Sequence, residues 1–165
     1  MSTTALIIGR FQPFHLGHVR LIEEAAKEAD HILIGIGSSQ EGHTKNNPFT
    51  AAERREMIER SLSIGKKYSV YDIPDIGNDK KWVSHVDSIV PKYDVVYTNG
   101  ELERMLFAKA GYRVHATGLY NRDTYSGTEI RRRILAGEKW KNLVPKGTLE
   151  VMEELKGVER VMSLG

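Results

Sequence analysis

Five short apolar runs alternate along 165 residues with segments of helical periodicity, and four of the runs exit into glycine, serine, asparagine or aspartate. No other feature of the chain narrows its possible folds as much. Ala5-Leu-Ile-Ile8 ends at Gly9, and Ile32-Leu-Ile-Gly-Ile36 ends in Gly37-Ser38-Ser39. Both runs are apolar throughout rather than at alternate positions, so they read as strands buried on two faces. Val70 to Ile73, Asp94 to Tyr97 and Tyr112 to Ala116 supply three more strands, the fourth leading into Asn99-Gly100. Between them, Gly17 to Ala29 carries Val19, Ile22, Ala25, Ala26 and Ala29 at helical spacing. Thr50-Ala-Ala-Glu53 is a capping box opening a helix to about Leu62, and Trp82 to Val90 and a segment through Phe107 give two more helices. A second box, Ser126-Gly-Thr-Glu129, opens a helix through Leu135, and a final helix covers Leu149 to Leu155. This alternation predicts a Rossmann-like three-layer α/β/α fold with a central parallel sheet, in one domain spanning residues 1–165. Ligands of such sheets lie outside the carboxyl ends of the strands.

Composition excludes several other readings. The net charge of +2 is too small for a protein that wraps nucleic acid. Cysteine is absent, which removes disulfides, thiolate nucleophiles and Cys-ligated metals together. The first residues show no basic leader followed by a long apolar stretch, and the longest apolar runs fall short of a membrane span. The expectation is a cytoplasmic protein with neither a membrane nor a nucleic acid as partner.

The first strand exit, Gly9-Arg-Phe-Gln-Pro-Phe-His15-Leu-Gly-His18, runs into a helix start. Glycine lets a ligand approach the backbone, and a helix N-terminus offers free N–H groups and a positive dipole end. His15 and His18 are three apart, so both imidazoles can reach one space. A metal reading needs further ligands and, without cysteine, must recruit distant carboxylates. A phosphate reading uses Arg10 and both histidines as donors. The second segment, Tyr125-Ser-Gly-Thr-Glu-Ile-Arg131-Arg-Arg, again sets small hydroxyl residues at a helix start. Three successive arginines diverge by about 100° each, so at most two reach one ligand. Taken alone, the run would read as a solvated helix face or a nucleic-acid patch.

The first segment resembles the opening signature of the HIGH-type nucleotidyltransferase superfamily, and more narrowly the archaeal type of nicotinamide mononucleotide adenylyltransferase. The second resembles the superfamily's other signature. Further segments are similar to the same family: Gly35 to Gln40, Asn47 to Arg54, Asp72 to Trp82, Asn121-Arg122, Trp140 to Pro145 and Gly157 to Arg160. The resemblance implies an ATP site of Gly9, Arg10, Phe11, His15, His18, Ser126, Thr128 and Arg131, with His18, Arg10 and Arg131 carrying the chemistry. It implies a nicotinamide mononucleotide site of Ser38, Ser39, Asp75 and Trp82. Trp82 also reads as a core residue at a helix start, and Asp75 as a loop cap. The reaction expected is ATP plus nicotinamide mononucleotide giving NAD and pyrophosphate, by in-line attack on the α-phosphate. Mg²⁺ accompanies ATP and is held by substrate and water, so no protein ligand is named. The family also implies a homo-oligomer, with a hexamer the expected size. Lys45, Asn46, Arg132 and Arg133 receive no role in the site, the two arginines being assigned to solubility or a subunit contact. The alternatives are another phosphate acceptor within the superfamily, or a nucleotide-binding regulatory module.

Overall fold

The computed structural model describes residues 2–98, 100–115 and 124–165. Among these the elements run β1 (Thr4–Gly9), α1 (Leu16–Glu28), β2 (His31–Gly37), α2 (Ala51–Ser61), β3 (Lys67–Ile73), α3 (Trp82–Ile89), β4 (Val95–Tyr97), α4 (Glu101–Lys109) and β5 (Arg113–His115). Three helices follow: α5 (Gly127–Ala136), α6 (Lys146–Leu155) and α7 (Gly157–Leu164). The strands form one parallel sheet in the order β3-β2-β1-β4-β5. This is the expected Rossmann-like α/β arrangement, with the strand order reversing direction beside β1. Ala116, Asn99 and Asn121-Arg122, which the sequence reading used, lie outside the described residues.

The described residues group into two compact units interleaved along the chain. One draws on 2–9, 21–38 and 64–115, the other on 10–20, 39–63 and 124–165. The first unit holds the whole sheet. Leu6, Leu33 and Val96 stand in register on one face and pack with Val86 and Val90 of the α3 region, Tyr93, and Phe107 of α4. Residues of the opposite parity, Ala5, Ile7, Ile32, Ile34, Val95 and Tyr97, are also sealed from water. Tyr97 hydrogen-bonds Glu28 at the end of α1, which puts that helix on the second face. Two buried faces explain why the strands are apolar runs rather than alternating ones. Because the strands are parallel, their carboxyl ends, with Gly9, Ser38 and Asp75 following, all leave the sheet on one side.

The second unit is helical. In α2 the capping box is complete: Thr50 Oγ1 accepts from Glu53 N at 3.2 Å, and Glu53 Oε1 accepts from Thr50 N at 2.8 Å. Such a cap contributes about 1 kcal/mol. In α5 the serine half is present, with Ser126 Oγ accepting from Glu129 N at 3.1 Å. The Glu129 carboxylate instead takes Arg132 and Arg133. One helix was not expected. Lys156, in the left-handed region at φ 54°, ends α6, and α7 starts at the next residue.

Candidate active site

Arg10, exposed, leaves β1 and leads into a compact turn. Phe11 adopts φ 55°, the Gln12–Pro13 peptide is cis, and Phe11 and Phe14 are buried beneath the loop. His18, on the first turns of α1, sits among aromatic rings. Its centroid lies 4.6 Å from Phe11, edge-on, 5.6 Å from Phe14, stacked, and 3.7 Å from His15.

Backbone amides set the tautomer of both histidines. The N–H of Gly17 donates to His15 Nδ1 at 3.0 Å, and the N–H of His15 donates to His18 Nδ1 at 3.1 Å. With Nδ1 accepting, each neutral ring carries its proton on Nε2 and presents it as a donor. Burial pushes the His15 imidazole down to about 3. Burial, with His15 adjacent, holds His18 well below the usual imidazole range. Both rings are therefore neutral donors until an anion arrives. A bound polyphosphate would raise both values, because opposite charge favours the protonated ring. Gly17 is small of necessity, since a Cβ there would stand 2.9 Å from the His15 ring and 3.1 Å from Tyr125 Cβ.

Arg131, on α5, joins this loop from within the same unit. Its Nη1 donates to the carbonyl of Gln12 at 2.7 Å, and the side chain is nearly buried. Burial and the neighbouring Arg10 guanidinium press its pKa down to about 10, so it remains charged. The Arg131 contact needs a glycine at the α5 start, because a Cβ on Gly127 would lie 2.9 Å from both Gln12 O and Arg131 Nη1. Ser126 caps α5 and Thr128 is exposed on its first turn. The structure thus gathers His15, His18, Arg10 and Arg131 at one loop, close to two helix N-termini. A set made of N–H donors suits phosphate oxygens and offers no lone pairs to a cation. Among the described residues no group of three or more His, Asp or Glu stands close enough to hold a metal.

The other expected site residues lie along the strand exits. Ser38, at φ 47°, leaves β2, with half-buried Ser39 following, and exposed Asp75 follows β3. The ends of β2 and β3 are neighbours, with Gly37 opposite Ile73. Trp82 opens α3, half-buried, and packs against the Val86, Val90 and Leu33 cluster, so part of its indole is core. Arg132 pairs with Glu129 and Glu138, and Arg133 with Glu129 and the Lys139 carbonyl. These local pairings account for both arginines.

A supporting layer was missed by sequence reasoning. The Gln12 amide clasps the peptide of Phe49 twice, donating to its carbonyl and accepting from its N–H, each at 2.9 Å and buried. Arg54, wholly buried in α2, donates to the carbonyls of Arg10 at 2.8 Å, of Glu41 and of Thr50. Thr148 Oγ1 donates to the Phe14 carbonyl at 2.9 Å. Arg160 of α7 grips Glu53 through two contacts, at 2.6 and 3.0 Å, and donates to the Pro48 carbonyl at 3.1 Å. The available signal was an arginine directly after a capping box, where a solvated residue is the usual occupant.

Residues 6–133 match the cytidylyltransferase-like family. The chain is 45% identical to the nicotinamide-nucleotide adenylyltransferase of Archaeoglobus fulgidus, over 97% of this chain and 96% of that one. It is 49% identical to the enzyme of the same name from Methanococcus aeolicus, over 97% and 94%. The chain belongs to the nicotinamide-nucleotide adenylyltransferase family. Of this family's expected phosphate residues, the structure brings His15, His18, Arg10 and Arg131 together in one unit. The fold also matches a solved bifunctional NMN adenylyltransferase/ADP ribose pyrophosphatase from Francisella tularensis, complexed with AMP and a manganese ion, at a TM-score of 0.76 and 19% identity. That match takes in 99% of this chain and 52% of the other, so this adenylyltransferase-family chain spans about half the length of the bifunctional protein. At that identity the likeness shows a common fold.

Proposed function

We infer that the chain transfers the adenylyl group of ATP to nicotinamide mononucleotide, forming NAD and releasing pyrophosphate. The observation that carries this reading is the donor-only loop. Two imidazoles locked as Nε2–H donors stand beside two guanidiniums, in a chain 45% identical over nearly its full length to an enzyme of that name.

The nucleophile is the 5′-phosphate of the mononucleotide, already largely ionised at neutral pH because the second pKa of a phosphate monoester is near 6. A general base is not required. The phosphate oxygen attacks the α-phosphorus in line, the bond to the bridging oxygen breaks, and pyrophosphate leaves with that electron pair. Catalysis is then positioning and neutralisation of charge spreading over phosphoryl oxygens. His18 Nε2–H donates at the α-phosphate. His15, Arg10, Arg131, the Ser126 and Thr128 hydroxyls and the clearance at Gly9 and Phe11 hold the remainder of ATP. No residue of this chain is assigned to hold Mg²⁺, which, arriving with the triphosphate, would supply further neutralisation of its charge. Ser38, Ser39, Asp75 and Trp82 receive the mononucleotide, the exposed part of the Trp82 indole stacking on the pyridinium. Residues 1–165 act as a single nucleotidyltransferase domain, since the chain passes between the two units five times, once inside α1. The family resemblance supports a homo-oligomer, hexameric and cytoplasmic; separately, no helix of the described residues is long and apolar enough to cross a membrane.

The test is a mass-resolved product assay. ATP and CTP are each offered with nicotinamide mononucleotide, nicotinic acid mononucleotide and phosphopantetheine. NAD from ATP and nicotinamide mononucleotide is expected. Adenylylation of phosphopantetheine alone would overturn the assignment.

A further inference from the structure

Two arginine–glutamate clasps tie helices together in the second unit. Arg60 of α2 grips Glu154 of α6, on the exposed surface. Arg160 of α7 grips Glu53 of α2, with both side chains only 17% exposed. The first ends there, its arginine otherwise bonded to Glu56 one turn away. The second is linked onward to the phosphate loop.

From Arg160 the connection runs through the backbone of residues 48–50. Its Nη1 donates to the Pro48 carbonyl as well as to Glu53, and its guanidinium carbon lies 5.9 Å from the centre of the Phe49 ring. The Glu53 carboxylate it neutralises also accepts from Thr50 N. Arg160 therefore constrains the carbonyl of Pro48 and the amide of Thr50, the two positions flanking Phe49. Phe49 is the residue whose peptide the Gln12 amide clasps on both sides. Gln12 in turn lends its own carbonyl to Arg131 and precedes His15 by three residues. Each link is between a side chain and a backbone group, or between opposite charges, so the path carries geometry as well as cohesion. None of these links is a solvated surface pair.

We propose that Arg160 is a positioning residue for the adenylyl transfer, through which the C-terminal helix α7 sets the placement of Arg131 and the histidine loop. The proposal rests on the reading of that loop as the ATP phosphate site. Arg160 touches no substrate. It holds residues 48–50 where Gln12 can keep its two bonds, and a displaced Gln12 carbonyl releases Arg131.

The experiment compares Arg160→Gln, Arg160→Lys and Arg60→Gln in the full chain. It measures kcat and KM for both substrates, thermal unfolding, and hydrogen–deuterium exchange of the peptide carrying Phe49. Small misplacements of catalytic groups from outside a site cost up to about a hundredfold in rate. Arg160→Gln is expected to lose roughly ten- to a hundredfold in kcat, with Phe49 exchanging faster. Arg160→Lys keeps charge but not the fork, and is expected to fall between it and the parent protein. Arg60→Gln is expected to unfold slightly earlier while keeping parental kcat and parental exchange at Phe49. Parental kcat in folded Arg160→Gln overturns the proposal, as does an equal kcat loss in Arg60→Gln. If Arg160→Gln does not fold, Arg160→Lys decides: slower turnover with faster Phe49 exchange supports positioning, and parental values overturn it. Absence of adenylyl transfer in the unmodified chain would instead overturn the functional reading, and the Phe49 exchange would still report whether Arg160 holds the loop.

Discussion

The tautomer of His18 can be tested by separating its two nitrogens. Nδ1 accepts the His15 amide at 3.1 Å, and Nε2–H is the donor assigned to the reacting phosphate. In His18→Asn the side-chain oxygen can take the place of Nδ1 and keep the amide paired, but nothing reaches the position of Nε2. In His18→Gln the amide nitrogen reaches close to Nε2, while the His15 N–H loses its partner. Both lose the ring contacts with Phe11, Phe14 and His15, so that cost, about 0.5–1.5 kcal/mol per aromatic pair, largely cancels in the comparison. Removing one transition-state donor costs about 10²–10³ in kcat, and orphaning a buried amide about 1–3 kcal/mol of stability. His18→Asn should therefore be the more stable and the slower variant. His18→Gln should unfold at lower denaturant concentration yet turn over at least about tenfold faster than His18→Asn. Steady-state NAD formation and urea unfolding on both proteins read the two quantities independently. A kcat for His18→Asn equal to or above that of His18→Gln would refute Nε2 as the working donor.

Three further outcomes follow from other contacts. Gly127→Ala is favoured by helix propensity, yet its methyl would press on Gln12 O and Arg131 Nη1 at 2.9 Å, so the KM for ATP should rise roughly tenfold; an unchanged KM would show that Arg131 is not anchored for binding. His15 titrates near 3 when folded against about 6.5 when unfolded, so the unfolded chain takes up the proton first; stability present above pH 6.5 should be lost as pH falls towards 3, by at most about 5 kcal/mol, and His15→Gln should flatten that part of the urea-midpoint profile. Trp82→Ala should raise the KM for the mononucleotide roughly 2- to 30-fold at an unchanged KM for ATP, with some loss of stability from its packed part; a folded variant with both KM values intact would make Trp82 a core residue alone.

The sheet could be read from the sequence because its cause is local. Ile32 to Ile36 is apolar at every position since both faces of the sheet are covered. The histidine loop stood out for a related reason: His15, His18 and Arg10, proposed here to hold phosphate, are crowded together by chain proximity. What escaped was held at long range. Arg54 looks like any surface arginine of a capped helix until the carbonyls of Arg10 and Glu41 close around it. Gln12 looks like one more donor of the motif, but both ends of its amide are spent on Phe49, 37 residues away. The last expected helix ended at Leu155; the left-handed Lys156 does end α6 there, and the chain then turns directly into a further helix that brings Arg160 back to Glu53. Of the proposed donors, Arg10, His15 and His18 cluster in sequence because one loop presents them, and Arg131 joins them from α5. Arg54 and Arg160, which bond backbone carbonyls in and beside that loop, come from the separate helices α2 and α7, while Gln12 lies in the loop itself and reaches out to Phe49. These long-range bonds of Gln12, Arg54 and Arg160, the last proposed to position the loop, are what only the folded chain reveals.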